Sequence, residues 1–220
     1  MPGSRASEEV RRQQIVDAAF EIASEGGLEA ITIREVAREG AISPGLVIFH
    51  FETKEKLLIA LLDWVLTSTV SLTIGESASV NADPLERLAA VLGHEIERVS
   101  REPNRNRLFF EFWNQGLSNR AIRSRMQYDL DVYREAFLPL IDDVLGGYPQ
   151  RFEYANAAAM ATAVVSLIKG CAFQSMIEPH LDVDALLAAA AGFLGVPLAA
   201  IHALRDGAAL GTARAIPHGA

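Results

Sequence analysis

Apolar residues recur along this chain at helical spacing almost without interruption. From Glu9 to Glu25 they fall at Ile15, Ala18, Ala19, Ile22 and Ala23, a one-sided stripe of period 3.6 that predicts an amphipathic helix. Gly26-Gly27 ends it. Thr32, with Glu35 three residues on, forms a capping box that opens a second helix, with Ile33, Val36 and Ala37 on its inner face. Gly40-Ala41 is a tight break. Ser43 and Pro44 then open a short third helix to about His50, the serine placed to cap and the proline at the first helical position. A fourth starts after Thr53 and carries Leu57, Leu58, Leu61, Leu62, Val65 and Leu66, reaching toward Thr73. After a loop at 75–84, helices are predicted over about 85–101, 105–115, 119–145 and 154–177, with a last pair in 183–206. The 105–115 helix is apolar nearly all round, which predicts a buried helix. No repeat and no convincing strand interrupts the pattern.

The fold class expected is all-α: an N-terminal three-helix helix-turn-helix domain, 1–52, and a C-terminal helical bundle, 53–206, followed by a weakly patterned tail, 207–220. Residues 43–58, "SPGLVIFHFETKEKLL", carry the functional signal. A helix that stops and restarts within so few residues suits a chain that must lay one short helix in the major groove of DNA and lead the next away from it. His50, Lys54 and Lys56 stand where phosphates would pass, and the helix start at Thr53 offers backbone N–H groups to a phosphate.

Charge changes the picture only locally. The chain carries 20 Lys and Arg against 28 Asp and Glu, net −8, so bulk charge does not indicate nucleic acid. Residues 1–60 hold seven basic against ten acidic residues. A DNA-binding face must therefore gather Arg5, Arg11, Arg12, Arg34, Arg38, Lys54 and Lys56, with the acids turned away. The single cysteine, Cys171, excludes an internal disulfide framework and a cysteine-based zinc cluster. The first residues carry no apolar run of the signal-peptide kind. The uncharged stretch 185–204 contains Gly192, Gly195 and Pro197 and reads as two short helices rather than a membrane span. Five histidines and Cys171 show neither metal-ligand spacing nor a nucleophile motif. No catalytic residue, metal or cofactor is expected. Two rival classes are a helical small-molecule or lipid-binding module without DNA binding, and an enzyme.

The stretch "RRQQIVDAAFEIASEGGLEAITIREVAREGAISPGLVIFHFETKEKLL" resembles the N-terminal DNA-binding domain of TetR-family transcriptional regulators, over about residues 8–62. "FFEFWNQGLSNRAIRSRMQYDLDVYREAF" is similar to the C-terminal domains of the subgroup that contains BetI. The resemblance implies an all-α homodimer that represses by binding double-stranded operator DNA and that a small-molecule effector releases. The lone cysteine fits a reducing cytoplasm, and no membrane partner is expected. It places DNA contacts on Arg34, Ser43, Gly45, Leu46, Phe49, His50 and Lys54. Two positions depart from the family pattern: Ile48 stands where tyrosine is usual, and the turn reads Gly40-Ala41 where Ala-Gly is usual.

Aromatic residues on the 105–115 helix suggest a pocket for an apolar or quaternary ammonium effector, walled by His94, Phe109, Phe112, Trp113, Met126 and Tyr133. The same aromatics also suit plain core. Buried, His94 and Glu111 would each need a polar partner. The small residues of the 154–177 helix allow close helix approach. With the resemblance, they place a dimer seam at Ala159, Ala163, Ser166 and Leu187.

Overall fold

The computed structural model describes residues 3–67, 83–178 and 180–194. Among the described residues every regular element is helical: α1 (Gly3–Gly26), a single 3-10 turn (Leu28–Ala30), α2 (Ile33–Glu39), α3 (Pro44–Phe51), α4 (Lys54–Thr67), α5 (Pro84–Ser100), α6 (Pro103–Gly116), α7 (Arg120–Gly147), α8 (Ala157–Ile177) and α9 (Val183–Leu194). Nothing in the apolar periodicity marks the 3-10 turn. The proposed extension of α4 to Thr73, the 207–220 tail and the second member of the last helix pair lie outside the described residues.

Thr32, Ser43 and Thr53 cap the starts that the sequence marked, and Asp83 and Asn156 cap two that it did not. The Glu35 carboxylate turns to Arg38 instead of completing the capping box. The Thr32 hydroxyl oxygen accepts from the Glu35 N–H at 3.1 Å, and that of Ser43 from the Leu46 N–H at 3.2 Å. Thr53 accepts from the Lys56 N–H at 3.2 Å, Asp83 from the Leu85 N–H at 2.9 Å, and Asn156 from the Ala159 N–H at 3.2 Å. Each satisfies a donor that the first helical turn leaves without an intrahelical partner.

Two compact units form. The first draws on Met1–Thr69 and Asn104–Asp129. Ile15, Ala19 and Ala23 of α1, Val36 of α2, Val47 and Phe51 of α3, and Leu57, Leu61, Leu62 and Val65 of α4 share one core with Leu108, Phe109 and Phe112 of α6. This unit extends past residue 52 because α4 and α6 bury their apolar stripes together with α1. Burial of α6 is one-sided, not all round: Phe112 is fully buried, whereas Trp113 is 40% exposed. The Glu111 carboxylate faces the chain reversal after α1 and accepts from the Leu28 N–H at 2.8 Å.

The second unit draws on Val70–Pro103 and Leu130–Ala220. Here α5 packs against α8 and α9. It is tied to α7 by the Arg87–Asp143 ion pair at 2.7 Å and by a hydrogen bond that the Tyr148 hydroxyl donates to Asp83. Helix α8 buries Ala161, Val165, Ile168, Cys171 and Ala172, and leaves Ala159, Ala163 and Ser166 exposed. By length and composition α8 alone among the described helices could cross a membrane, but its side-on packing against α5 gives its apolar residues another role.

Candidate nucleic-acid interface

The site is built by α1 holding two short helices from behind. Ile15 and Ala19 form the apolar bed. Two polar side chains of α1 fix the ends of α2 and α3: Gln14 donates to the Gly40 carbonyl at 2.8 Å, and Arg12 to the His50 carbonyl at 2.6 Å. The Arg12 guanidinium also lies 4.4 Å from the centre of the Phe51 ring, a cation–π contact. Arg12 therefore positions α3 rather than joining a free basic face. Its spacing on α1 was visible in the sequence, but its partner 38 residues away was not.

The turn between α2 and α3 carries its left-handed residue at Ala41, with φ 51, while Gly40 has φ −74. The reversed Gly-Ala order thus places a Cβ where glycine is the unstrained choice. Between α3 and α4 the Thr53 N–H bonds to the Phe51 carbonyl at 2.5 Å across Glu52, which has φ 58 and ψ −51. That is a γ-turn of the rare positive-φ kind. It lets α4 start again almost at once, as the helical restart in the sequence required.

The sequence-derived contact residues lie on α2, on α3 with its cap, and at the start of α4. Ser43, Gly45 and Phe49 are exposed, and Leu46 and His50 are half-buried. Val47 and Phe51 are buried beneath them. Arg34 is exposed in the first turn of α2, and Lys54 is half-buried at the start of α4. Lys56 pairs with Glu52 at 2.6 Å, and Arg38 with Glu35 at 2.5 Å. Glu21, Glu25, Glu35 and Glu39 line one cavity between α1 and α2, to which α3 contributes no residue. These four acids lie away from α3, whereas Glu52 ends α3 and is paired with Lys56.

The residues expected to line an effector pocket divide between the two units. Phe109, Phe112 and Met126 lie in the first unit's core, with the exposed Trp113 against Phe109 at 5.8 Å between ring centres. In the second unit His94 is half-buried and Tyr133 is buried. The Tyr133 hydroxyl donates to Glu95 at 2.6 Å, Arg98 pairs with the same carboxylate at 2.8 Å, and Lys169 lies 5.0 Å from the centre of the Tyr133 ring. Burial, reinforced by the charge of Glu95, pushes the Tyr133 hydroxyl well above the ordinary tyrosine range. It therefore stays a neutral donor. Burial pulls the Arg98 guanidinium down, but its hydrogen bond and charge pairing with Glu95 outweigh this and raise it. The Glu95–Arg98 pair, at i, i+3 spacing inside an apolar run, is legible in the sequence, whereas the bond from Tyr133 is not. Ala159, Ala163 and Ser166 share an exposed face of α8. The side chain of Leu187 lies outside the described residues.

Comparison with known proteins agrees with this geometry. The family described as "Bacterial regulatory proteins, tetR family" matches residues 15–61, and "BetI-type transcriptional repressor, C-terminal" matches residues 84–196. The HTH-type transcriptional regulator BetI of Burkholderia cenocepacia is 27% identical over 162 residues, covering 74% of this chain and 80% of its own. BetI of Paraburkholderia phytofirmans is 26% identical over 193 residues, covering 87% of this chain and 95% of its own. Among solved structures, a transcriptional regulator from Pseudomonas aeruginosa PAO1 superposes with TM-score 0.68 at 18% identity, covering 94% of this chain and 93% of its own. A regulator from Saccharomonospora viridis in complex with choline superposes with TM-score 0.65 at 21% identity, covering 84% of this chain and 95% of its own. FadR from Bacillus subtilis in complex with stearoyl-CoA gives TM-score 0.65 at 20% identity, covering 83% of this chain and 96% of its own. A helix-turn-helix head matched by one family description and a C-terminal region matched across more than half of the chain by the other lead to one conclusion: this chain belongs to the TetR family of transcriptional regulators, with a C-terminal region of the BetI type.

Proposed function

We propose that the chain acts in the cytoplasm as a homodimeric repressor whose residues 1–52 grip operator DNA and whose residues 53–206 dimerise and bind a small-molecule effector that releases it. The observation that carries this reading is α3 itself. It is a short, Ser-capped helix with Val47 and Phe51 locked in the core and Ser43, Gly45 and Phe49 turned to solvent. Such a helix fits the major groove. Arg34, His50 and Lys54 would hold the sugar-phosphate backbone.

The dimer seam runs along the exposed stripe of α8 through Ala159, Ala163 and Ser166, with Leu187 of α9 alongside. Phe173 and Ile177 continue that stripe at helical spacing, 51% and 72% exposed. An apolar stripe of this extent on one helix is what a subunit contact would cover. For the effector, we favour an apolar or quaternary ammonium compound bound within the BetI-type region. The choline and stearoyl-CoA held by the two solved regulators support that choice. Within the second unit, His94 and Tyr133 are the candidate contacts.

A gel shift with the DNA upstream of the chain's own gene tests the central reading. Binding should weaken steeply with salt, and Lys54→Ala should weaken it on all sequences while flattening the salt dependence by about one counterion per protomer. A slope unchanged in the variant removes Lys54 from the phosphate contacts. A complete lack of binding leaves the helical small-molecule module as the better reading.

A further inference from the structure

We propose that this chain reads its operator chiefly through the C5 methyl groups of thymine, with Phe49 as the selecting residue and Ile48 beside it. The inference rests on the DNA-binding reading above and adds the chemistry by which bases are chosen. Helix α3 is "PGLVIFHF" and contains no Arg, Lys, Asn or Gln. Those are the side chains that hydrogen-bond guanine and adenine in bidentate fashion in the major groove.

The polar side chains on α3 and at its N-cap are only two, Ser43 and His50. The Ser43 oxygen accepts from the Leu46 N–H at 3.2 Å. His50 is half-buried, with its ring edge-on to Phe49 at 5.2 Å between centres. What α3 holds out is apolar: Phe49 is 75% and Ile48 50% exposed.

The helix cannot rotate to hide them. Val47 and Phe51 occupy the core at 0% and 2% exposure, and the Arg12 bond to the His50 carbonyl fixes the end of the helix. A phenyl ring held in water gains only where it meets apolar surface. Along the base edges of the major groove, the apolar group is the thymine methyl. Ile48, half exposed beside Phe49, offers a second apolar contact. Arg34 and Lys54, on the flanking helices, are left for the backbone.

The test is to select binding sites from a random duplex pool with the full chain, then replace each thymine of the selected half-site in turn with deoxyuridine. Every Watson–Crick hydrogen bond is kept and only the methyl is lost. At one thymine or more per half-site the affinity should fall about fourfold, the worth of one buried methylene. In Phe49→Ala the thymine and deoxyuridine duplexes should bind equally at that position. Phe49 is exposed, so this variant should melt like the parent protein. Specific binding that tolerates deoxyuridine everywhere overturns the inference, as does a methyl effect that survives Phe49→Ala. A pool that enriches no sequence sinks the DNA-binding reading itself, and this inference with it.

Discussion

Ala41 holds φ 51 in the turn that sets α2 against α3. An L-residue with a Cβ is strained there by roughly 1–2 kcal/mol, part of which glycine would give back as unfolded-state entropy. Ala41→Gly should stabilise the protein by about 0.5–1 kcal/mol, raising the melting temperature by about 2 °C for a chain of this size. A melting temperature that falls would mean the turn is not strained. Asp83 supplies the acid-sensitive residue. Its carboxyl is held below the ordinary aspartate range, first by the Tyr148 hydroxyl and then by the Leu85 and Glu86 N–H groups, against the opposing effect of burial. Folding therefore favours the carboxylate. Its contribution is full above the ordinary pKa of about 3.9 and is lost as pH falls through the lower folded value. Tyr148→Phe should be less stable than the parent at pH 7, and that difference should shrink below about pH 4. Urea unfolding at pH 7 and pH 3 measures it, and a difference independent of pH would contradict the assignment.

Single helices show what a one-sided stripe can decide. Helix α8 buries Val165, Ile168 and Ala172 against its own unit and leaves Ala159, Ala163 and Ser166 in water. A charge at Ala163 costs little within one protomer, because the side chain is exposed there. In a close-packed seam it would be buried without a partner. Ala163→Glu should therefore give a folded monomer. Sedimentation showing an intact dimer with a parental circular dichroism melt would place the seam elsewhere. Helix α6 is held at a different point. Arg107 donates to the Ala23 carbonyl at 2.5 Å and Glu111 accepts from the Leu28 N–H at 2.8 Å, so α6 grips the end of α1 with polar groups while its aromatics fill the core.

At the scale of the molecule, release of DNA requires an effector that binds the released form better than the bound one. Both tryptophans lie in the unit that carries α3. Trp64 packs against Phe20 in a tilted pair at 4.6 Å between ring centres, with the Arg105 guanidinium 4.3 Å from the Trp64 ring centre, while Trp113 borders Phe109. An effector that frees operator DNA should thus change the fluorescence of Trp64→Phe and of Trp113→Phe with the same apparent affinity. Two unchanged signals at full DNA release would show that the head moves without repacking α4 or α6.

Periodicity and capping chemistry were enough to place the described helices, because a 3.6-residue stripe and a Ser, Thr, Asp or Asn cap act through neighbours only a turn away. The helix-turn-helix was legible for the same reason: Thr32, Ser43-Pro44 and Thr53 mark its starts within 22 residues. Which way α3 faces was decided by tertiary structure. Leu46, Val47, Ile48 and Phe49 are equally apolar as letters, and only packing against α1 buries Val47 and leaves Phe49 in water. The roles of Arg12, Glu95 and Glu111 were likewise out of reach, because each partners a group 38, 38 or 83 residues away. A buried charge is defined by the group that meets it in space, and sequence spacing carries no record of that distance.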